Sequence, residues 1–217
     1  MHFCTVNNKP KTMKTFLLVL VLLTLKFGYS QTNKVFSIGN LDSNTYSNKF
    51  FGITLKIDSS WKIMNRKELY QIMEDRQNAL EETNGKKYEV QKGSNILLSL
   101  TGDTLENIPQ VLLSSLDLFF LPTIKNETDY LVDYAKRVRE TYKNYDLQMS
   151  VSEIGQKSIN NKIFFTSIIT IKAEGYITYQ KRYSLKFGNT LLNIMANYNS
   201  PSTLKQCERL IANLRWD

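Results

Sequence analysis

The sequence predicts an α+β domain: an antiparallel β-sheet of about six to seven strands, including a C-terminal four-strand meander, flanked by helices. Three observations lead there. Alternating or continuously apolar runs recur at 51–57, 95–100 and 110–120, and then at 146–154, 162–172, 176–187 and 190–198. The separators within that last group are "INN", "AEG" and "GN", far shorter than the dozen or more residues of a parallel crossover, so its strands form an antiparallel meander. Segments beginning after Asn65, Asn126 and Ser200 instead place apolar residues at three-and-four spacing behind a capping side chain, as amphipathic helices do.

The chain opens on residues 1–12, "MHFCTVNNKPKT", which are polar and ill suited to a packed element. Met13 then begins an ordinary secretory leader and is an alternative translation start. The apolar run from Phe16 to Leu25 is about half of the roughly 20 residues a membrane-crossing helix needs. Lysines 9, 11 and 14 precede it, and the small residues Gly28 and Ser30 sit where a signal peptidase reads, so cleavage is expected between Ser30 and Gln31. The alternative is a short anchor reaching Tyr29, with Lys26 snorkelling. No cysteine follows the apolar run closely enough to accept a lipid. The expected organisation is thus a signal peptide over 1–30, a flexible lead-in over 31–48 and a single domain over 49–217.

The lead-in, "QTNKVFSIGNLDSNTYSN", is rich in Asn and Ser without a sustained period. Order is expected from Phe50, where Phe51, Ile53, Leu55 and Ile57 alternate with Gly52, Thr54 and Lys56 as in a half-buried strand. After the "DSS" turn, Trp61 and Ile63 continue that pattern. Asn65 and Glu68 have capping-box spacing, and Leu69, Ile72, Met73 and Leu80 share a stripe that Asn84-Gly85 ends. "NILLSL" (95–100) reads as a buried strand. "QVLLSSLDLFF" (110–120) fits strand or helix, with strand preferred. Asn126 caps a second helix, with Glu127 and Asp129 in its first turn and Leu131, Val132, Ala135, Val138 and Tyr142 on its apolar face; its late Lys136, Arg137 and Arg139 suit the helix dipole. Ser200-Pro201 starts a final helix with Leu204, Cys207, Leu210, Ile211 and Leu214 facing inward.

Composition narrows the chemistry. The full chain has 28 Lys and Arg against 20 Asp and Glu, a net charge of +8. Removing residues 1–30 takes away four lysines and no acid, leaving 24 basic residues and a net +4. The one histidine, His2, and one of the two cysteines, Cys4, leave with the leader. Without histidine there is no Ser-His-Asp or Cys-His site and no histidine zinc site; with Cys207 alone there is no internal disulfide. The mature 187 residues can bury roughly 70% of their unfolded surface, enough for one domain without staples.

The remaining candidates each have a plainer reading. Cys207 lies on an apolar helical stripe, where an inert core thiol is commoner than a reactive one. Asp129 and Asp133 lie four apart on one helix face, with Glu127 nearby, and can ligate calcium or magnesium, but acids in a first turn also cap, and Asp133 is spaced to pair with Arg137. "KKYEVQKG" (86–93) and "YQKRY" (179–183) interleave bases with aromatics as single-strand nucleic-acid binders do, yet read more simply as strand faces, with Ile177, Tyr179, Lys181 and Tyr183 opposite Thr178, Gln180 and Arg182. "SLTGD" lacks the length and lysine of a phosphate loop.

The order of "YSNKFFGITLKIDSSW", a mid-chain helix, "INNKIFFTSIITI", the "YQKRYSLKFGNTLLNI" hairpin and a closing "LIANLRWD" resembles the PsbP-like superfamily over about residues 46–217. That group includes the extrinsic PsbP subunit of photosystem II, the Ran-binding Mog protein and many bacterial secreted proteins. The resemblance implies an α/β/α sandwich. It carries no catalytic signature; the family's metal sites involve histidine and are not carried over, and Ran binding belongs to the nucleus, not to an exported chain. The expectation is a monomeric, non-enzymatic binding module, periplasmic or extracellular, without a cofactor. Its partner would be an envelope protein, a glycan or an apolar ligand, not a nucleic acid, and after cleavage it would not be an integral membrane protein. Two alternatives stand beside it: a carboxylate-based envelope enzyme such as a glycan hydrolase, which needs a cleft with two acids, and an assembly factor for a membrane complex.

Overall fold

The computed structural model of the chain describes residues 36–85, 92–102 and 109–217. The leader, with Met13, Ser30 and Gln31, and most of "KKYEVQKG" lie outside the described residues. The chain divides into two compact units, residues 1–36 and 37–217, and the second holds every helix and strand described.

Two antiparallel sheets build this unit. The small sheet has the order β1-β2-β3-β12 and joins β1 (Asn40–Asp42), β2 (Thr45–Asn48), β3 (Ile53–Lys56) and β12 (Leu214–Trp216). The large sheet runs β4 (Trp61–Ile63), β5 (Ser94–Gly102), β6 (Gln110–Asp117), β11 (Thr190–Tyr198), β10 (Tyr176–Phe187), β9 (Lys162–Ala173) and β7 (Gln148–Val151), with β8 (Gly155–Ile159) also paired to β9. Three helices accompany them among the described residues: α1 (Arg66–Asn84), α2 (Glu127–Tyr142) and α3 (Pro201–Ala212).

The α+β class and the antiparallel meander stand, and several boundaries need correction. Among the described residues, regular structure starts at Asn40, inside the stretch read as a lead-in. The β1–β2 hairpin turns at Ser43, whose φ is 51°, and strands of three and four residues are too short to show a period. The run read as 146–154 is the short strand β7, and β8 follows it; both lie along β9, because the Ser152 hydroxyl accepts from the Ile168 N–H (2.9 Å) where the pairing breaks. The 110–120 run is a strand to Asp117 and then a single 3-10 turn, with the Asp117 carboxylate accepting from the Phe119 N–H. Leu214 belongs not to the last helix but to β12, which pairs with β3 in the register Leu214↔Leu55.

Successive residues of a strand face opposite ways, so each inner strand feeds two layers. On one face of the large sheet, Leu98, Leu100, Val111, Leu113, Tyr183, Leu192, Ile194 and Ala196 pack with Ile53 and Leu55 of the small sheet and Cys207, Leu210 and Ile211 of α3. That side is filled. On the other face a smaller cluster forms where α2 meets the sheet, from Leu116, Ile124, Tyr130, Leu131 and Leu191. Helices and a small sheet thus sandwich the large one, with α2 and α3 on opposite faces.

Cys207 is fully buried in the filled side, and burial pushes its pKa up to about 12. Burial also raises the pKa of Tyr130, Tyr183 and Tyr198. The folded chain therefore holds these protons more tightly than the unfolded one. Stability from this source is whole below pH 9 and is lost as the pH climbs toward 12. Iodoacetamide at about pH 8 should accordingly alkylate Cys207 on the order of a hundredfold more slowly in the native protein than in denaturant, by peptide mapping. Equal rates would show an accessible thiol.

Candidate functional site

The face opposite α3 is not filled along its whole length. Between α1, α2 and the large sheet lies an open cleft of about 660 Å³. Its walls come from two helices whose starts are set locally. At α1 the Asn65 side chain accepts from the Glu68 N–H (2.9 Å) while Glu68 reaches back to the Asn65 N–H, and Gly85, with φ 63°, closes the far end. Leu69, Ile72 and Met73 then share the helical face turned to the cleft; Leu69 is buried, whereas Ile72 and Met73 remain partly exposed. At α2 the Asn126 side chain accepts from the Asp129 N–H (2.8 Å), and Tyr130, Tyr134 and Tyr142 come to the cleft.

The floor is a row of side chains that strand alternation brings to one face. Gln180, Asn197 and Gln110 are lateral neighbours on β10, β11 and β6. Their carboxamides form a chain: Gln180 Nε2 donates to Asn197 Oδ1 (3.2 Å), and Asn197 Nδ2 donates to Gln110 Oε1 (2.8 Å). The Tyr134 hydroxyl donates to Gln180 Oε1 (2.6 Å) and so ties this row to α2. In the next rank Arg182 neighbours Met195, which in turn neighbours Leu112.

Arg182 is the unusual member, at 8% exposure. Its guanidinium lies on the Tyr134 ring, 3.3 Å from the centroid. Nη1 donates to the Tyr130 hydroxyl (2.8 Å), Nε to Gln180 Oε1 (3.3 Å) and Nη2 to the Met195 thioether (3.4 Å). Burial holds the Tyr130 hydroxyl neutral, with Arg182 offsetting that shift only in part. Every one of these partners is neutral, and no carboxylate among the described residues makes an ion pair with Arg182. A buried guanidinium is ordinarily matched by an anion, because desolvating an unmatched charge costs several kcal/mol. Among the described residues that line the cleft, Arg182 alone is charged.

The residues singled out from sequence go elsewhere. Glu127 accepts from the Lys186 N–H (2.8 Å), Asp129 from the Lys125 N–H (2.9 Å), and Asp133 pairs with Arg137 (2.8 Å), so these acids cap and brace α2 instead of converging. No group of three or more potential ligands among the described residues is placed to hold a metal. "YQKRY" splits as an alternating strand should. Lys181 pairs with Glu208 of α3 (2.9 Å) and Tyr183 enters the filled side, while Gln180 and Arg182 enter the cleft. The floor residues Gln110, Gln180, Arg182 and Asn197 were not foreseen. Their one sequence signal is polar side chains on strands that must be covered on both faces.

The chain is similar to the solution structure of cyanobacterial PsbP (CyanoP) from Synechocystis, with a TM-score of 0.51 over 88% of this chain and 99% of that one, at 10% identity. A crystal structure from Bacteroides thetaiotaomicron gives a TM-score of 0.39 at 14% identity, covering 76% of this chain and 45% of that one. No family model matches the chain, and no curated protein matches it. The likeness to CyanoP gives a PsbP-like fold, and at this identity it speaks to fold alone. No helix among the described residues is long and apolar enough to cross a membrane.

Proposed function

We propose that this protein is an exported, non-enzymatic binding module of the cell envelope, working in the periplasm or outside the cell, and that it takes a small ligand in the cleft between α1, α2 and the large sheet. One observation carries the reading: the sheet carries a continuous buried cluster against α3 but leaves about 660 Å³ open on the other face, bounded largely by apolar and aromatic side chains with a few convergent polar groups. Ligand sites have this size and composition. The described lining includes no acid, so the paired carboxylates of a glycan hydrolase are not gathered in this cleft. Export rests on the leader, whose short apolar run and small residues suit cleavage after Ser30.

Mass spectrometry of the protein recovered from its own host tests both halves. The expected polypeptide begins at Gln31, resides outside the cytoplasm and carries a small-molecule adduct in its native spectrum. A cytoplasmic chain with the leader attached would contradict export. A clean apo mass, together with turnover of envelope glycans by the purified protein, would contradict the binding role.

A further inference from the structure

Resting on that reading of the cleft, we infer the chemical class of its occupant: an amphipathic monoanion of the fatty-acid type, its carboxylate at Arg182 and its hydrocarbon chain along Leu69, Ile72, Met73, Ile96 and Leu112. Two independent features point there. The first is charge. Arg182 reaches the cleft floor as a cation surrounded by neutral groups, and it uses one of its donors on a thioether, the weakest acceptor in its shell. A carboxylate oxygen would displace the Met195 sulfur from Nη2 and supply the missing negative charge, while the stacked Tyr134 ring keeps the guanidinium in place.

The second feature is the wall. Helix α1 turns an apolar stripe toward the sheet without sealing against it, leaving Ile72 and Met73 partly exposed above Ile96 and Leu112. A half-covered stripe of this kind gains from an aliphatic chain laid along it, by about 0.8 kcal/mol for each methylene removed from water. Head and tail requirements therefore sit side by side in one cleft. A neutral lipid would leave Arg182 unmatched, and a sugar would leave the α1 stripe wet. A polyanion would bring more charge than the one guanidinium in the described lining can match.

Titrating the full exported protein with dodecanoate, dodecanol and dodecylamine, followed by calorimetry, tests the inference. Dodecanoate should bind on the order of tenfold or more tightly than dodecanol, and dodecylamine more weakly than either. Arg182→Met should abolish the preference, bringing dodecanoate to within about twofold of dodecanol on the same variant. Should that variant fail to fold by circular dichroism, the series on the unmodified protein still decides, and Ile72→Glu, on a partly exposed position of the wall, should weaken dodecanoate by at least about tenfold by setting a charged group against its hydrocarbon chain. Equal binding of all three would overturn the anion preference while leaving a binding cleft in place. Preference for the amine would overturn it outright. Failure of all three to bind would remove both this inference and the cleft as an apolar ligand site.

Discussion

Deleting Leu214–Asp217 is expected to destabilise the protein by on the order of 5 kcal/mol, although only four residues are lost. Those residues close the small sheet. Leu214 is buried opposite Leu55, and Trp216 stacks on Phe187 at 5.8 Å while its indole N–H donates to the Ile159 carbonyl (3.3 Å). The Asn160 side chain, at the β8–β9 turn, donates to the Leu214 carbonyl and to Ala212 O (3.1 Å). One short strand therefore fastens the start of the fold, the meander turn and α3 together. Full burial of a leucine contributes about 1.5–3 kcal/mol, the half-buried indole a comparable amount, and each hydrogen bond about 1 kcal/mol. For a domain of this size that is a fall of roughly 10–20 °C in Tm. A truncated chain melting within about 3 °C of the intact one would show that β12 is peripheral.

Leu210→Ala is expected to cost about 3–5 kcal/mol, whereas Met73→Ala should cost less than about 1 kcal/mol. Both are apolar residues on helices, and the sequence alone ranks them alike. Leu210 has no exposed surface and is enclosed by the cluster on the filled side, so truncation leaves a cavity that close-packed neighbours cannot collapse. Met73 borders the open cleft, where solvent or ligand takes up the removed volume. Urea midpoints for the two variants measure the contrast directly. Similar losses would mean that α1 is packed as firmly as α3, and the cleft would lose its standing as a site.

The parts of this fold that depend on near neighbours are legible in the sequence. The Asn65–Glu68 and Asn126 caps and the Ser200-Pro201 start are all present, because a cap is a contact between residues three apart. The β8–β9 turn is legible too: Asn160 and Asn161 both take positive φ, as a two-residue hairpin turn requires and asparagine tolerates. What escapes is set by distant partners. Strand β12 finds β3 some 160 residues away, and three residues carry no period that would mark them as a strand. Arg182 escapes for another reason. Alternation places Gln180 and Arg182 opposite Lys181 and Tyr183, but it does not reveal that both faces of β10 are covered. Alternation alone therefore does not mark Arg182 as a buried cation.

That cation and the cleft above it are the centre of the account. Hydrogen–deuterium exchange of the exported protein with and without dodecanoate addresses them most directly. Slower exchange is expected in α1 over 66–84 and in α2 near Tyr130 and Tyr134, with α3 and the small sheet unchanged. Protection confined to α3 or the small sheet, or none anywhere at saturating dodecanoate, would contradict a ligand seated at Arg182.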